Sequence, residues 1–232
     1  MSSSKKRRLE RERTQRREAI IRTARGFFTD QGYELTMVDK VALEAGYTKA
    51  TIYNYFESKD DLFIAVVAKT FEKLARILED SMKQPDVAYD LRSLGDAYLT
   101  FVEEYPDEAI LFEEGRLGLV IGSMIRKEET KEPLTESEEE FREHQLKIQK
   151  LMTDIISGTI KKAGVEDKVD PFSVIMVLSS LASSIREIVM RGVRGNQTEE
   201  KTREQLSVLF NIIDSGLKHY EVKTLTQLNT GD

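Results

Sequence analysis

Between Thr36 and Phe63 the chain sets two short helical signals on either side of one glycine, and that spacing leaves few folds open to it. Thr36 is expected to cap a helix running to about Ala45, Gly46 breaks the chain, and Thr48 is expected to cap a further helix to about Tyr55. A hydroxyl just before a helix accepts a hydrogen bond from a first-turn N–H that has no other partner. Glycine turns the chain where a side chain would be strained. Val38, Val41, Ala42 and Ala45 recur at helical spacing and are expected to pack inward, with Ala45 small enough for close helix approach. Ile52 and Phe56 do the same from the second of the two helices. Its remaining surface carries Lys49, Thr51, Tyr53, Asn54 and Tyr55, which are donors and flat rings suited to phosphates and base edges.

The rest of the chain reads as helix throughout. All four prolines (Pro85, Pro106, Pro133 and Pro171) sit at boundaries, and no alternating strand pattern or internal repeat occurs. Residues 14–31 form a first helix with Ile20, Ile21, Ala24, Phe27 and Phe28 on one face, stopped by Gly32 in a left-handed cap. Ser58-Lys59-Asp60-Asp61 is a capping box that opens a long helix to about Met82. Helices follow over 87–104 and about 107–125. An acidic stretch from Glu128 to Glu140 reads as a solvated linker, and Thr135 with Glu138 can box-cap the next helix, which ends near Gly164. Asp170-Pro171 opens a helix to about Arg191, Gly192 stops it, and Thr198 caps a last one to about Tyr220. The tail after Glu221 is expected to fray.

A net charge of −6 hides an uneven distribution. Residues 1–59 hold thirteen Lys/Arg against eight Asp/Glu, a balance of +5, and residues 60–232 hold a balance of −11. A basic head on an acidic body suits a nucleic-acid module joined to a domain with other business; a solvated basic tail would look similar. The leading Lys5, Lys6, Arg7, Arg8, Arg11, Arg13, Arg16 and Arg17 read as an arm able to follow a DNA groove or backbone, or as a solubilising extension. With no cysteine, disulfides, thiol nucleophiles and thiolate zinc sites are excluded. No stretch reads as a secretory signal or a membrane helix, so the expected compartment is the cytoplasm.

The segment 17–63 resembles the tetracycline-repressor (TetR) family of regulators. The resemblance rests on Ile21, Ala24 and Phe28, then Gly32-Tyr33, Thr36, Val41-Ala42 and Ala45-Gly46. It continues through Thr48-Lys49-Ala50-Thr51-Ile52-Tyr53, Tyr55-Phe56 and Ser58-Lys59-Asp60-Asp61-Leu62. Ala50 stands where the family often has glycine and Tyr47 where it often has valine. Those positions bear on how closely the backbone meets DNA and on contact at the turn. The resemblance implies an all-α fold. An N-terminal three-helix helix-turn-helix domain with a basic arm would span 1–60, and a larger helical effector-binding and dimerisation domain 61–232. It implies that Thr36 and Thr48 hold phosphates, that Lys49 and Asn54 read base edges, and that Tyr53 and Tyr55 touch phosphate, sugar or thymine methyl. Lys59 would anchor a phosphate.

The expected protein is a DNA-binding transcription regulator, a homodimeric repressor released from a palindromic operator by a small hydrophobic effector. An activator, or a DNA-binding adaptor without an effector, fits the same sequence. The dimer interface is expected on the two C-terminal helices, at Leu178, Leu181, Ile185, Leu206, Leu209, Phe210 and Ile213. Effector contacts are expected from Phe71, Tyr98, Phe101, Phe112, Phe141, Met152 and Met176, with Arg116 as a partner for a ligand carboxylate; aromatic and Met positions at this spacing are more often plain core, and Arg116 can instead pair with a nearby acid such as Glu113. No enzyme is expected. The only histidines, His144 and His219, are far apart, and no nucleophile motif, phosphate loop, cofactor signature or metal-ligand spacing occurs.

Overall fold

The computed structural model describes residues 3–83, 90–113, 115–178 and 199–219. It is helical, with no strand among those residues: α1 Ser3–Leu35, α2 Val38–Glu44, α3 Lys49–Tyr53, α4 Lys59–Met82, α5 Arg92–Glu104 and α6 Pro106–Ala109. A 3₁₀ turn follows at Ile110–Glu113, then α7 Gly115–Thr130, α8 Glu136–Ala163, α9 over 171–178 and α10 Glu199–Lys218. The chain forms two compact units, one of Met1–Lys73 with Tyr105–Leu146 and one of Leu74–Glu104 with Lys147–Asp232. Among the described residues no helix is long and apolar enough to cross a membrane.

The core of the first unit is built around α4. Ile20, Ile21, Ala24 and Phe28 of α1, Val38, Val41 and Ala42 of α2, and Ile52 and Phe56 around α3 are buried with Leu62 to Ala68 of α4. Leu111, Leu117, Val120, Met124 and Phe141 belong to the same cluster, which explains why α4 is buried all round over this stretch. The ring of Phe63 meets Phe28 edge-on at 5.1 Å and Tyr33 at 5.3 Å, a favoured aromatic geometry. Two capping boxes fasten the polar ends. The Asp61 N–H donates to Ser58 Oγ while the Asp61 carboxylate accepts from the Glu57 N–H at 2.8 Å. At the start of α8 the Glu138 N–H donates to Thr135 Oγ1 and the Thr135 N–H returns to Glu138 Oε2. The Thr135 hydroxyl then donates to Asp61 Oδ1 at 2.5 Å, so the two boxes hold each other.

Several boundaries differ from the sequence reading, each for a local reason. α1 begins at Ser3 rather than at residue 14. Residues 5–17 lack an apolar stripe, but they are rich in Lys, Arg, Glu and Gln, which favour helix without one. Thr36 does not cap α2; Met37 holds the cap position, and the Thr36 hydroxyl bonds back to the carbonyls of Phe27 and Gly32. The acidic linker shrinks to residues 131–135, because α7 runs to Thr130 and α8 starts at Glu136. The expected helix over 107–125 is divided into α6, the 3₁₀ turn and α7. Gly32 takes φ 76° where the first helix was expected to stop.

The second unit buries Leu78, Leu91, Leu94, Phe101, Val102, Ile155, Ile156 and Ile160. Asp170 caps α9 as expected, its carboxylate accepting from the Ser173 N–H at 2.9 Å. The remainder of the expected helix to Arg191, and the tail after Tyr220, lie outside the described residues.

Two glycines of the first unit should respond to alanine with opposite signs. Gly46 sits at φ 75° with open space around an added Cβ, so Gly46→Ala costs only left-handed strain, about 1–2 kcal/mol. Gly26 lies inside α1 with equally open space and no unusual backbone, so Gly26→Ala should stabilise by about 0.5–1 kcal/mol. Urea unfolding of the two variants checks both signs.

Candidate nucleic-acid interface

The α2–α3 segment presents one polar face. Thr48 caps α3, its hydroxyl accepting from the Thr51 N–H at 3.1 Å and lying 2.9 Å from the Thr51 hydroxyl. With Ile52 buried on the inner side, Thr48, Lys49, Ala50, Tyr53 and Asn54 are left exposed, Tyr53 at 43%. Tyr47 and Tyr55 are half-buried against the core, so only part of each ring is available outside. Gly46 makes the turn between the helices, and the Tyr47 N–H bonds to Ala42 O at 2.8 Å.

Lys49 is engaged within the chain. Its Nζ lies 3.0 Å from Asp39 Oδ2, and that bond holds the ammonium pKa above its ordinary value. Both side chains are more than half exposed, so the pair sits in water and a phosphate can compete for the lysine. Lys59, the first residue of α4, is held differently. Its Nζ donates to Glu34 O at 3.3 Å and stands 4.1 Å from the centroid of the Tyr33 ring. Thr36 is 2% exposed, with its hydroxyl and its N–H both bonded inside the turn.

Beneath Lys59 lies a network that sequence reasoning does not reveal. Asp60 accepts from the Tyr33 hydroxyl at 2.6 Å, from Arg116 Nε at 2.7 Å and from Arg116 Nη2. The guanidinium of Arg116 also covers the Tyr33 ring at 5.1 Å. The bidentate arginine, more than any other group, holds the Asp60 carboxyl below the usual range, while burial and then the bond to Asp60 push the Tyr33 phenol up. Arg116 is therefore placed at the base of the head. A second carboxylate, Glu108, is 2% exposed and takes Arg25 at 2.8 Å and Lys73 at 2.5 Å on the same oxygen. Arg17 is also buried, bonded to Glu140 and Ser137 and set over the Phe56 ring. The partners lie 56, 83 and about 120 residues away, so no local spacing signals them.

The other candidates divide between the units. Phe71, Phe112 and Phe141 form one aromatic cluster in the first unit, with Phe71 5.2 Å from Phe112 and 4.7 Å from Phe141. Tyr98, Phe101, Met152 and Met176 belong to the second, where Tyr98 and Phe101 lie 6.3 Å apart and Met176 is exposed. Leu178 is buried within its own unit, and Leu209 and Ile213 are half-buried. Leu181 and Ile185, and the side chains of Leu206 and Phe210, lie outside the described residues. Among those residues no cluster of three His, Asp or Glu could hold a metal ion.

Residues 20–66 match the family profile "Bacterial regulatory proteins, tetR family". The HTH-type transcriptional activator FasR of Mycolicibacterium smegmatis is 29% identical over 92 residues, 39% of this chain and 42% of that protein. The chain thus spans about two-fifths of the length of the first curated relatives it matches. Over most of its length it shares the fold of a TetR family transcription regulator from Marinobacter aquaeolei (TM-score 0.58, 20% identity, 89% of this chain and 97% of that one). It also shares the fold of the regulator FadR from Bacillus subtilis in complex with stearoyl-CoA (TM-score 0.54, 19% identity, 87% and 97%).

The Asp60–Arg116 pair has a testable pH signature. Since the folded-state pKa of Asp60 lies below its unfolded value, its contribution is complete above the unfolded carboxylate range. It is lost as pH falls through the lower folded value. Melting temperatures between about pH 5 and pH 2 should fall more steeply for the wild type than for Asp60→Asn. Parallel curves would show that the pair adds nothing.

Proposed function

The chain belongs to the tetR family of bacterial regulatory proteins through its N-terminal domain, and on that premise we propose that it is a DNA-binding transcription regulator. It acts as a homodimeric repressor that leaves its palindromic operator when a small apolar effector binds. One observation carries the reading: α2 and α3 bury one face and leave Thr48, Lys49, Ala50, Tyr53 and Asn54 together on the other. On DNA, Lys49 exchanges Asp39 for a base edge or phosphate, and Asn54 reads a base edge beside it. Ala50 allows close approach. Tyr53, with the exposed parts of Tyr47 and Tyr55, meets phosphate, sugar or thymine methyl. Thr48 and Lys59 hold phosphates at the starts of α3 and α4. Thr36 serves from inside, closing the turn that aims α2.

The dimer reading is supported by apolar side chains left exposed on the C-terminal helices: Phe172, Met176 and Val177 on α9, and Val208 and Ile212 on α10. A second copy would cover them together with Leu181, Ile185, Leu206, Leu209, Phe210 and Ile213, while Leu178, already buried in the single chain, would support that surface from behind. For the effector, stearoyl-CoA is the first molecule to try, since it is named with the Bacillus subtilis protein of the same fold. A native-state ligand at 100 times its Kd raises stability by about 2.7 kcal/mol, which a thermal-shift assay reads as a higher midpoint.

The test is binding to duplex DNA from upstream of the chain's own gene. Lys49→Ala should flatten the log–log salt dependence by about one unit. Tyr53→Phe should weaken binding less steeply with salt, and neither should change the melting temperature. Isotherms that superimpose on the wild type for both variants would remove α3 as the reading helix.

A further inference from the structure

We propose that the N-terminal part of α1, residues 3–11, is a second DNA contact that grips phosphates beside the site read by α3. The proposal rests on α2–α3 being the DNA-reading element.

The N-terminal part of α1 has no reason within the chain to be as it is. Residues 4–11 are exposed on every side, and only from Arg17 onward does the helix acquire a buried face. Lys5, Lys6, Arg7, Arg8 and Arg11 face a single acid, Glu10, over that stretch. Arg8 is paired to Glu12 at 2.8 Å, but Lys5, Lys6, Arg7 and Arg11 make no ion pair among the described residues. Arg7 and Arg11 stand one helical turn apart and repel each other. A helix charged in this way is eased by a surface with a dense array of negative charge. Duplex DNA supplies one charge per about 1.7 Å of its axis.

The root of the extension fixes where that surface must be. The Arg13 guanidinium lies 5.6 Å from the Tyr55 ring centroid, in the turn that follows α3, and Arg13 Nη2 is held by Glu136 at 2.9 Å. The cationic stretch therefore starts at the edge of the proposed reading face. At 1.5 Å per residue it reaches about 15 Å beyond Arg13. An anionic membrane surface fits poorly, because a helix lying on a bilayer needs an apolar face and Leu9 is the one large apolar residue here. Phosphate contacts of this kind carry no base information, so the extension adds affinity on every sequence.

The experiment compares the full-length wild type with a variant carrying Lys5→Gln, Lys6→Gln, Arg7→Gln and Arg11→Gln, which keeps good helix formers. Both are titrated onto a long random-sequence duplex over a range of salt concentrations, with Lys49→Ala alongside. The quadruple variant should melt with the wild type, bind at least tenfold more weakly at low salt and lose about 2 to 4 units of log–log slope. A slope equal to that of the wild type, while Lys49→Ala still loses its unit, overturns the arm and leaves the reading helix standing. Failure of the folded wild type to bind any duplex overturns both.

Discussion

Eight consecutive residues of α4, Asp61 to Ala68, are buried, and the arrangement of the first unit follows from that. A helix with no solvent side must be covered on each flank. α1 and the short helices α2 and α3 supply one cover, and Leu117, Val120, Met124 and Phe141 from α7 and α8 supply another. Burial of the first turn brings the Asp61 carboxylate inside, and a buried carboxylate needs donors. It takes the Glu57 N–H and the Thr135 hydroxyl, so the capping of α4 and that of α8 become a single polar structure. Lys127 completes it by bonding to both oxygens of Glu138.

The exposed polar face of α3 is the outer consequence of this inner constraint. α3 has five residues, too few to be stable on its own. It holds its shape because Ile52 and Phe56 are anchored in the core and because Thr48 caps its start. The polar side chains opposite are thereby aimed without being packed. Lys49 stays in reach of solvent, steadied by Asp39, whereas Lys59 is fixed by a carbonyl and an aromatic ring. One cation is thus adaptable and the other held in place.

Much of this was legible in the sequence, and the limits are physical. The turn at Gly46, the cap at Thr48 and the boxes at Ser58 and Thr135 are encoded by residues within four positions of one another, so spacing reveals them. The buried faces of α1, α2 and α4 follow from their apolar period. What spacing could not show are the pairings of Asp60 with Arg116, Glu108 with Arg25 and Lys73, and Arg17 with Glu140, which join distant segments. Arg116 therefore reads in the sequence as a partner for a ligand or for a neighbouring acid such as Glu113, whereas its carboxylate lies 56 positions away. Thr36 shows the opposite failure: a residue at a helix start turns its hydroxyl backward to α1, where it donates to the carbonyls of Phe27 and Gly32.

Glu108 sets an unequal tolerance to sequence drift. Two cations share one of its oxygens, and the other oxygen is buried without a hydrogen-bond partner among the described residues. A lineage that loses Arg25 still has Lys73 on the carboxylate, and the reverse holds, so either basic position can wander among neutral residues. Losing the acid leaves two positive groups facing each other across the space it filled. The two lysine and arginine positions are therefore free to change one at a time, in either order, while the glutamate between them has to stay.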